Sequence, residues 1–379
     1  MAEGSSGSAA SGPAGTDGSA YRPSFLTPEI EARTRKRRRI RTYAIATAAV
    51  VFGAVLSGYF FYHKEDDVLR VGYFPNLTHS QALVGFEKGY FREHLPGIKI
   101  QTYVFNAGPS VIEAMFANKL DISYIGPSPT INGYVKSEGK ALRVVAGATS
   151  GGAVFIVRSG ANIDSVGDLA GKKLASPQLG NTQDVALRHY LKQNGLKTKE
   201  EGGSVELVAV ANADILTLFK KGELDGAWVP EPWGARLIHE GNGRLMLDER
   251  TLWENGSFVT ANIIVTTKLL REKPDVVRAF VEAHVEATLW IQEHTSEALT
   301  VINDRLLELT GKALAADVLD ESFSRMNVTY DPVRPSLLAY ADWAYDLGFL
   351  GTSRPNLGGL YSLGMLNDVL RQKGLPAVG

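Results

Sequence analysis

The sequence predicts an α/β protein of two lobes, preceded by one transmembrane helix and a disordered tail. Three observations carry this. From residue 68 onward, short β-rich runs alternate with helical stretches, the signature of a sheet flanked by helices. The alternation falls into two sets that meet at Gly151-Gly152, and the chain passes back near 256–262. Ahead of both, seven cations in nine positions from Arg33 to Arg41 precede Tyr43 to Tyr62, twenty residues without a charge.

Residues 1–20 are mostly Gly, Ser, Ala, Asp and Thr, which bury too little apolar surface to offset chain entropy, so disorder is expected. Residues 1–42 then read as a basic cytoplasmic tail. A twenty-residue helix is about 30 Å long, the thickness of a bilayer core. The cations on its N-terminal side predict a cytoplasmic N-terminus and an extracytoplasmic remainder, with 43–62 as the anchor. A cleaved signal peptide is the alternative, given Ala54, Ser57 and Gly58.

The first set of strands reads as Leu69 to Tyr73, Ile98 to Phe105, Ile122 to Ile125 and Leu142 to Gly147. Helices lie near Gln81 to Tyr90, Pro109 to Asn118 and Thr130 to Ser137. The second set is Ala153 to Val157, Lys173 to Ala175, Val205 to Val210 and Gly226 to Val229. Its helices fall near Thr182 to Asn194, Ala213 to Lys220 and Pro232 to Glu240. Phe258 to Thr266 reads as a returning strand, and the rest as helix, with Val276, Val277, Phe280, Val281, Val285 and Leu289 at helical spacing. Lobe one is thus residues 68–152 plus 259–379, and lobe two is 153–258.

Composition excludes several functions. The 379 residues hold 40 Lys and Arg against 41 Asp and Glu, not the basic balance of a nucleic-acid binder. There is no cysteine, so disulfides, thiolate metal sites, cysteine nucleophiles and lipidated cysteines are ruled out. No Gly-x-Ser-x-Gly elbow, His-Glu-x-x-His helix or Walker-type loop occurs. His284 and His294 are ten residues apart on one expected helix and cannot share a metal as an i, i+4 pair does. No cofactor or metal is expected.

The information lies in the turns that follow strands. Five combine small, hydroxyl or amide residues with a helix start: Pro75 to Gln81, Asn106 to Ser110, Gly126 to Pro129, Gly180 to Asp184 and Pro230 to Trp233. Each is ordinary capping chemistry by itself. Converging on one cleft, helix N-termini bind an anion without Lys or Arg, through unpaired N–H groups and the positive dipole end. That suits an acceptor-only ion such as a sulfonate or nitrate.

Val71-Gly72-Tyr73-Phe74-Pro75-Asn76, Asn106-Ala107-Gly108-Pro109-Ser110, Asp121 to Pro129, Gly171 to Ala175 with Gly180 to Asp184, and Asp225 to Trp233 together resemble the solute-binding proteins of ABC importers for aliphatic sulfonates, taurine and nitrate. The resemblance runs over about residues 68–372. It implies a type II periplasmic-binding-protein fold that closes on a small anion, a permease with ATPase subunits as partners, and no catalysis. It places His79, Ser80, Gln81, Gly126 and Ser128 on the lobe-one side of the cleft and Asn181, Thr182 and Gln183 on the lobe-two side. Trp228 would wall the alkyl part and Glu231 would meet an ammonium. For three of these a second reading stays open: His79 as a helix cap, Trp228 as strand-end core, and Glu231 as a carboxylate favoured by a helix dipole. A thiamine-pyrimidine precursor is an alternative solute. An enzyme of the pyrimidine-synthase type shares the fold but relies on a Cys-rich segment that this sequence lacks, and a membrane-anchored sensor is the remaining class.

Overall fold

The computed structural model describes residues 28–62 and 68–379; the expected disorder of 1–20 lies outside the described residues. The chain divides into two units, residues 1–65 and 66–379.

In the first unit, α1 (Pro28–Tyr62) is one continuous helix. The helix therefore starts inside the segment 1–42 expected to be disordered, and its Arg-rich turns are helical. Arg and Lys are good helix formers when their side chains reach solvent, and residues 32–42 are exposed throughout. Among the described residues, no helix is long and apolar enough to cross a membrane. The side chains of 55–62, the last eight residues of the expected span, lie outside the described residues.

The second unit opens with β1 (Val68–Tyr73), α2 (Ser80–Glu87), α3 (Tyr90–His94), β2 (Lys99–Val104), α4 (Gly108–Phe116), β3 (Ile122–Ile125), α5 (Pro127–Lys136) and β4 (Leu142–Gly151). Then come β5 (Ala153–Arg158), β6 (Lys173–Pro177), α6 (Thr182–Gln193), β7 (Glu206–Val210), α7 (Asn212–Lys220), β8 (Gly226–Pro230), α8 (Trp233–His239) and β9 (Gly243–Asp248). It closes with β10 (Val259–Thr266), α9 (Thr267–Glu272), α10 (Pro274–Glu293), α11 (Thr295–Thr310), α12 (Ala316–Ser324), β11 (Met326–Val328), α13 (Arg334–Asp346) and α14 (Gly364–Gln372).

Two sheets result, in the orders β11-β4-β10-β3-β1-β2 and β7-β6-β8-β5-β9. β1 runs parallel to β2 and β3, and β6 runs parallel to β7 and β8; helical crossovers between parallel strands put helices on the sheet faces. β10 is antiparallel to β3 and β4, and β5 is antiparallel to β8 and β9. The chain leaves the first sheet at Gly151-Gly152, both at positive φ (77° and 76°), and returns through 249–258. A Cβ on Gly151 would lie 2.7 Å from the Arg325 carbonyl oxygen, so this crossover needs glycine for space as well as for dihedral angle.

Core packing follows the periods. α10 buries Val277, Phe280, Val281, His284, Val285, Thr288 and Ile291, an i, i+3, i+4 stripe that packs on α2 and α3, with Phe280 stacked on Phe91 of α3. His284 fits that stripe because both ring nitrogens are engaged: Nδ1 lies 3.0 Å from the Tyr124 hydroxyl and Nε2 lies 2.8 Å from the Gly147 carbonyl oxygen. Trp228 is packed in the interior of lobe two, stacked on Phe155 with ring centroids 5.4 Å apart. Two strands had not been expected. β9 is an edge strand of partly buried residues, and β11 has only three residues.

Candidate functional site

Strands β1, β2 and β3 of one sheet and β6, β7 and β8 of the other end toward the seam between the lobes, where ligands of α/β sheets sit. The helices that follow begin there. His79 is the N-cap of α2, Gly126 of α5 and Asn181 of α6, and Asn212 is the first residue of α7; all four line one cavity of about 20 Å³. None of the four helices has a side-chain cap bond, so the first-turn N–H groups of α6 and α7 keep donor capacity; α5 opens Pro127-Ser128-Pro129 with the Ser128 N–H as its one donor there, and the Ser80 N–H of α2 donates to the Leu77 carbonyl oxygen. Phe74, Asn76, Thr78, Asn106, Gln183, Pro230 and Thr260 complete the wall, in which no side chain is charged.

His79 shows how the site is built. It is almost fully buried, its ring stacks on Phe74 at 4.4 Å, and its Nδ1 accepts the Phe74 N–H at 3.1 Å. Burial pushes its pKa down to about 3, so the imidazole is neutral near pH 7. With Nδ1 fixed as acceptor, the proton sits on Nε2, which is left as a neutral donor at the cavity.

Gly126 and Thr182 bring the lobes together. A Cβ at Gly126 would lie 2.4 Å from Thr182 Oγ1, and the Ser128 N–H donates to that oxygen at 3.4 Å. Ser128 Oγ is buried with no hydrogen-bond partner. Asn181 Nδ2 donates to Gln183 Oε1 at 3.1 Å, so these two amides form one edge of the wall.

Of the ten expected site residues, His79, Gly126, Asn181 and Gln183 are on the cavity wall; Ser128 and Thr182 lie beside it without lining it, and four more are placed elsewhere. The Ser80 hydroxyl donates to the Leu77 carbonyl oxygen at 2.6 Å, in the turn that leads into α2. Gln81 Nε2 donates to the Ala148 and Thr329 carbonyl oxygens at 2.6 and 3.2 Å, which ties it into the interior of lobe one. Trp228 gives its indole N–H to Glu249 Oε2 at 2.7 Å and is not part of this cavity's wall. Glu231 is fully buried against Arg325 Nη1 at 2.7 Å and the Ser322 hydroxyl at 3.2 Å; its charge is already met within the protein. Conversely, Phe74, Asn76, Thr78, Asn106, Asn212, Pro230 and Thr260 enter the wall without having been singled out individually. For Asn212 a signal exists: it starts a helix directly after a strand, as the five chosen turns do, but its neighbours are alanines.

Among the described residues, no group of three or more His, Cys, Asp or Glu side chains is arranged to hold a metal ion. What the site offers is hydrogen-bond donors around a neutral wall, with no paired acid and base.

The two sheets, the double crossover and a seam lined by helix N-termini define a two-lobed periplasmic-binding-protein fold. Comparisons agree. At TM-score 0.65 and 19% identity, the alkanesulfonate-binding protein SsuA from Xanthomonas axonopodis pv. citri bound to MOPS covers 78% of this chain, and 98% of its own chain is covered. The periplasmic nitrate-binding protein NrtA from Synechocystis PCC 6803 gives TM-score 0.69 at 14% identity, over 82% of this chain and 90% of the other. In sequence, a protein of Bacillus subtilis (strain 168) named for binding aliphatic sulfonates is 28% identical over 270 residues, 69% of this chain and 77% of the relative. The profile of the NMT1-like family matches residues 63–303, and the chain belongs to that family.

Proposed function

We propose that this chain is the solute-binding component of an ABC importer, and that it captures a small anion, an aliphatic sulfonate by preference, between its lobes. The observation that carries this is the meeting of the open N-termini of α6 and α7 and the His79 Nε2–H on one cavity whose wall holds no charge. Such a donor set suits a fully ionised monoanion, which needs hydrogen bonds more than a countercharge. The relatives named above for sulfonate and nitrate binding support the same class.

A cavity of about 20 Å³ holds little more than one water-sized probe. A solute with an alkyl chain therefore requires the lobes to part, and the Gly151-Gly152 crossover supplies a place for the backbone to turn. Delivery to a permease with cytoplasmic ATPase subunits completes the cycle. The basic run Arg33 to Arg41 followed by the uncharged run 43–62 supports an anchor with the N-terminus in the cytoplasm and the binding unit outside. Alkaline carbonate extraction of membranes tests the anchor; release of the chain into the supernatant would overturn it.

The test of function is a thermal-shift panel on the full-length chain with alkanesulfonates, 2-aminoethanesulfonate, nitrate, sulfate and pyrimidine thiamine precursors. A ligand at a hundred times its dissociation constant adds about 2.7 kcal/mol, a rise of about 4 °C for a unit of this size. A response to sulfonates alone is expected, whereas a response to pyrimidines alone would overturn the solute class.

A further inference from the structure

On the face of the first sheet that carries α2, α3 and α11, residues of β1, β2 and these helices line a second cavity of about 330 Å³. That is the small end of the range of small-molecule sites, about 300–1,000 Å³. It shares no residue with the wall of the cleft cavity: Phe74 lines the cleft, and Tyr73, its neighbour at the end of β1, lines this cavity on the other side of the strand. Phe86, Ile98 and Ile100 give it an apolar wall. Tyr73 is 1% exposed, with its ring centroid 5.6 Å from that of Phe86, and among the described residues its hydroxyl has no hydrogen-bond partner. Buried hydroxyls are ordinarily paired, so this one marks a contact that the protein does not itself supply. Two guanidinium groups complete the lining. Arg305 of α11 is paired with Glu308 and, at 3.6 Å, with Glu87, so its charge is met within the protein. Arg92 of α3 is exposed and, among the described residues, its side chain has neither an ion-pair nor a hydrogen-bond partner.

The geometry points to a second ligand site in this cavity, one for a monocarboxylate with an aromatic or branched aliphatic body. It goes beyond the anion reading of the cleft and stands without it. The planar fork of Arg92 matches a carboxylate bidentately, and the Tyr73 hydroxyl donates to the same group. The body of the ligand then covers Phe86, Ile98 and Ile100, apolar surface that the cavity leaves uncovered. One cation without a partner suits one negative charge. A phosphate dianion would bring a second charge beside Glu87 and Glu308 with no cation left to meet it, and a neutral amide would leave the guanidinium without an ionic partner.

The experiment is calorimetric titration of the full-length chain with 3-phenylpropanoate and 4-methylpentanoate, with 3-phenylpropanamide as the neutral isostere and inorganic phosphate as the second anion. It is run on the native protein and on Tyr73→Phe, Arg92→Gln and Asn181→Ala. At least one of the two carboxylates should bind saturably, about tenfold or more tightly than the amide or phosphate, the factor expected of hydrogen bonds to a charged group. Tyr73→Phe and Arg92→Gln should each weaken that carboxylate about fivefold or more. The first removes only a hydroxyl that no protein group partners, and the second changes an exposed side chain, so both variants keep the fold. Asn181→Ala, on the wall of the cleft, should leave carboxylate binding within about twofold. No saturable binding of either carboxylate, equal binding of the amide, tighter binding of phosphate, or affinity unchanged in both Tyr73→Phe and Arg92→Gln would overturn the inference. Weakening in Asn181→Ala alone would put the carboxylate in the cleft and overturn it as well; none of these results bears on whether the cleft takes a sulfonate.

Discussion

The Glu231 carboxylate at the end of β8 and the Arg325 guanidinium between α12 and β11 meet at 2.7 Å across the two lobes, with side chains 0% and 9% exposed. The backbone is stitched at the same place: Glu231 N–H donates to the Gly152 carbonyl oxygen, and Gly152 N–H donates to the Arg325 carbonyl oxygen, each at 2.9 Å. The first crossover is therefore held between the two charged residues.

Removing one member should leave a buried, uncompensated charge. Arg325→Met is expected to cost about 3–5 kcal/mol, and the double variant Glu231→Leu, Arg325→Met should recover most of the loss, because an apolar pair of similar volume replaces a desolvated ion pair. Urea unfolding of the three proteins measures this. A single variant within about 1 kcal/mol of the native chain would show that the pair is solvated in solution.

Ser128 separates binding from stability. Its hydroxyl is buried and unpartnered, so Ser128→Ala removes an unsatisfied group, and stability should stay level or rise slightly. If that hydroxyl turns to a sulfonate oxygen when solute enters, the same variant should weaken binding by about 1–3 kcal/mol. Melting temperature and titration on one preparation give both numbers; an unchanged affinity would remove Ser128 from the solute's contacts.

The lobes, their crossovers and the cleft were legible because periodic burial and turn chemistry are local. Positions along a strand were harder to convert into depth. Trp228 and Pro230 share one face of β8, but two residues of strand separate them by about 6–7 Å, enough to put the proline at the cavity and the indole in the core. Glu231 could not be assigned from its turn because its partner, Arg325, lies 94 residues away. Asn212 was passed over because alanines on either side gave its turn none of the Gly, Pro and hydroxyl character of the other five. β9 lacks strict alternation, since most of its residues are half-buried at a sheet edge.

Glu249 makes the second crossover sensitive to pH. Its buried carboxyl accepts the Trp228 indole N–H at 2.7 Å through Oε2 and the Tyr340 hydroxyl of α13 through Oε1, and burial pushes its pKa up to about 7. In the window between the ordinary carboxyl value and about 7 the folded chain holds a proton that the unfolded chain has lost. This contribution is therefore full below the window and is lost as pH rises through it, up to about 3 kcal/mol. Glu249→Gln keeps the shape without the titration. Urea unfolding at pH 5, 6, 7 and 8 should show the native chain losing stability relative to the variant with rising pH; parallel curves would mean the carboxyl does not titrate there.

His79 and His284 act in the opposite direction. Burial lowers both to about 3, against about 6.5 in the unfolded chain, so between those values the unfolded state binds protons that the native state refuses. Stability present above pH 6.5 should fall on acidification by about 1 kcal/mol per pH unit for each histidine. Solute affinity should behave differently. The cavity wall has no group that titrates between pH 5 and 8, and His79 contributes a neutral Nε2–H, so the dissociation constant should stay within about twofold across that range at fixed ionic strength. His79→Gln retains a donor and should bind several-fold better than His79→Phe, which has none. An affinity that climbed as pH dropped through 6–7, and lost that climb in His79→Gln, would mean that a protonated imidazole serves as the anion's countercharge and that the neutral-donor account of this cavity is wrong.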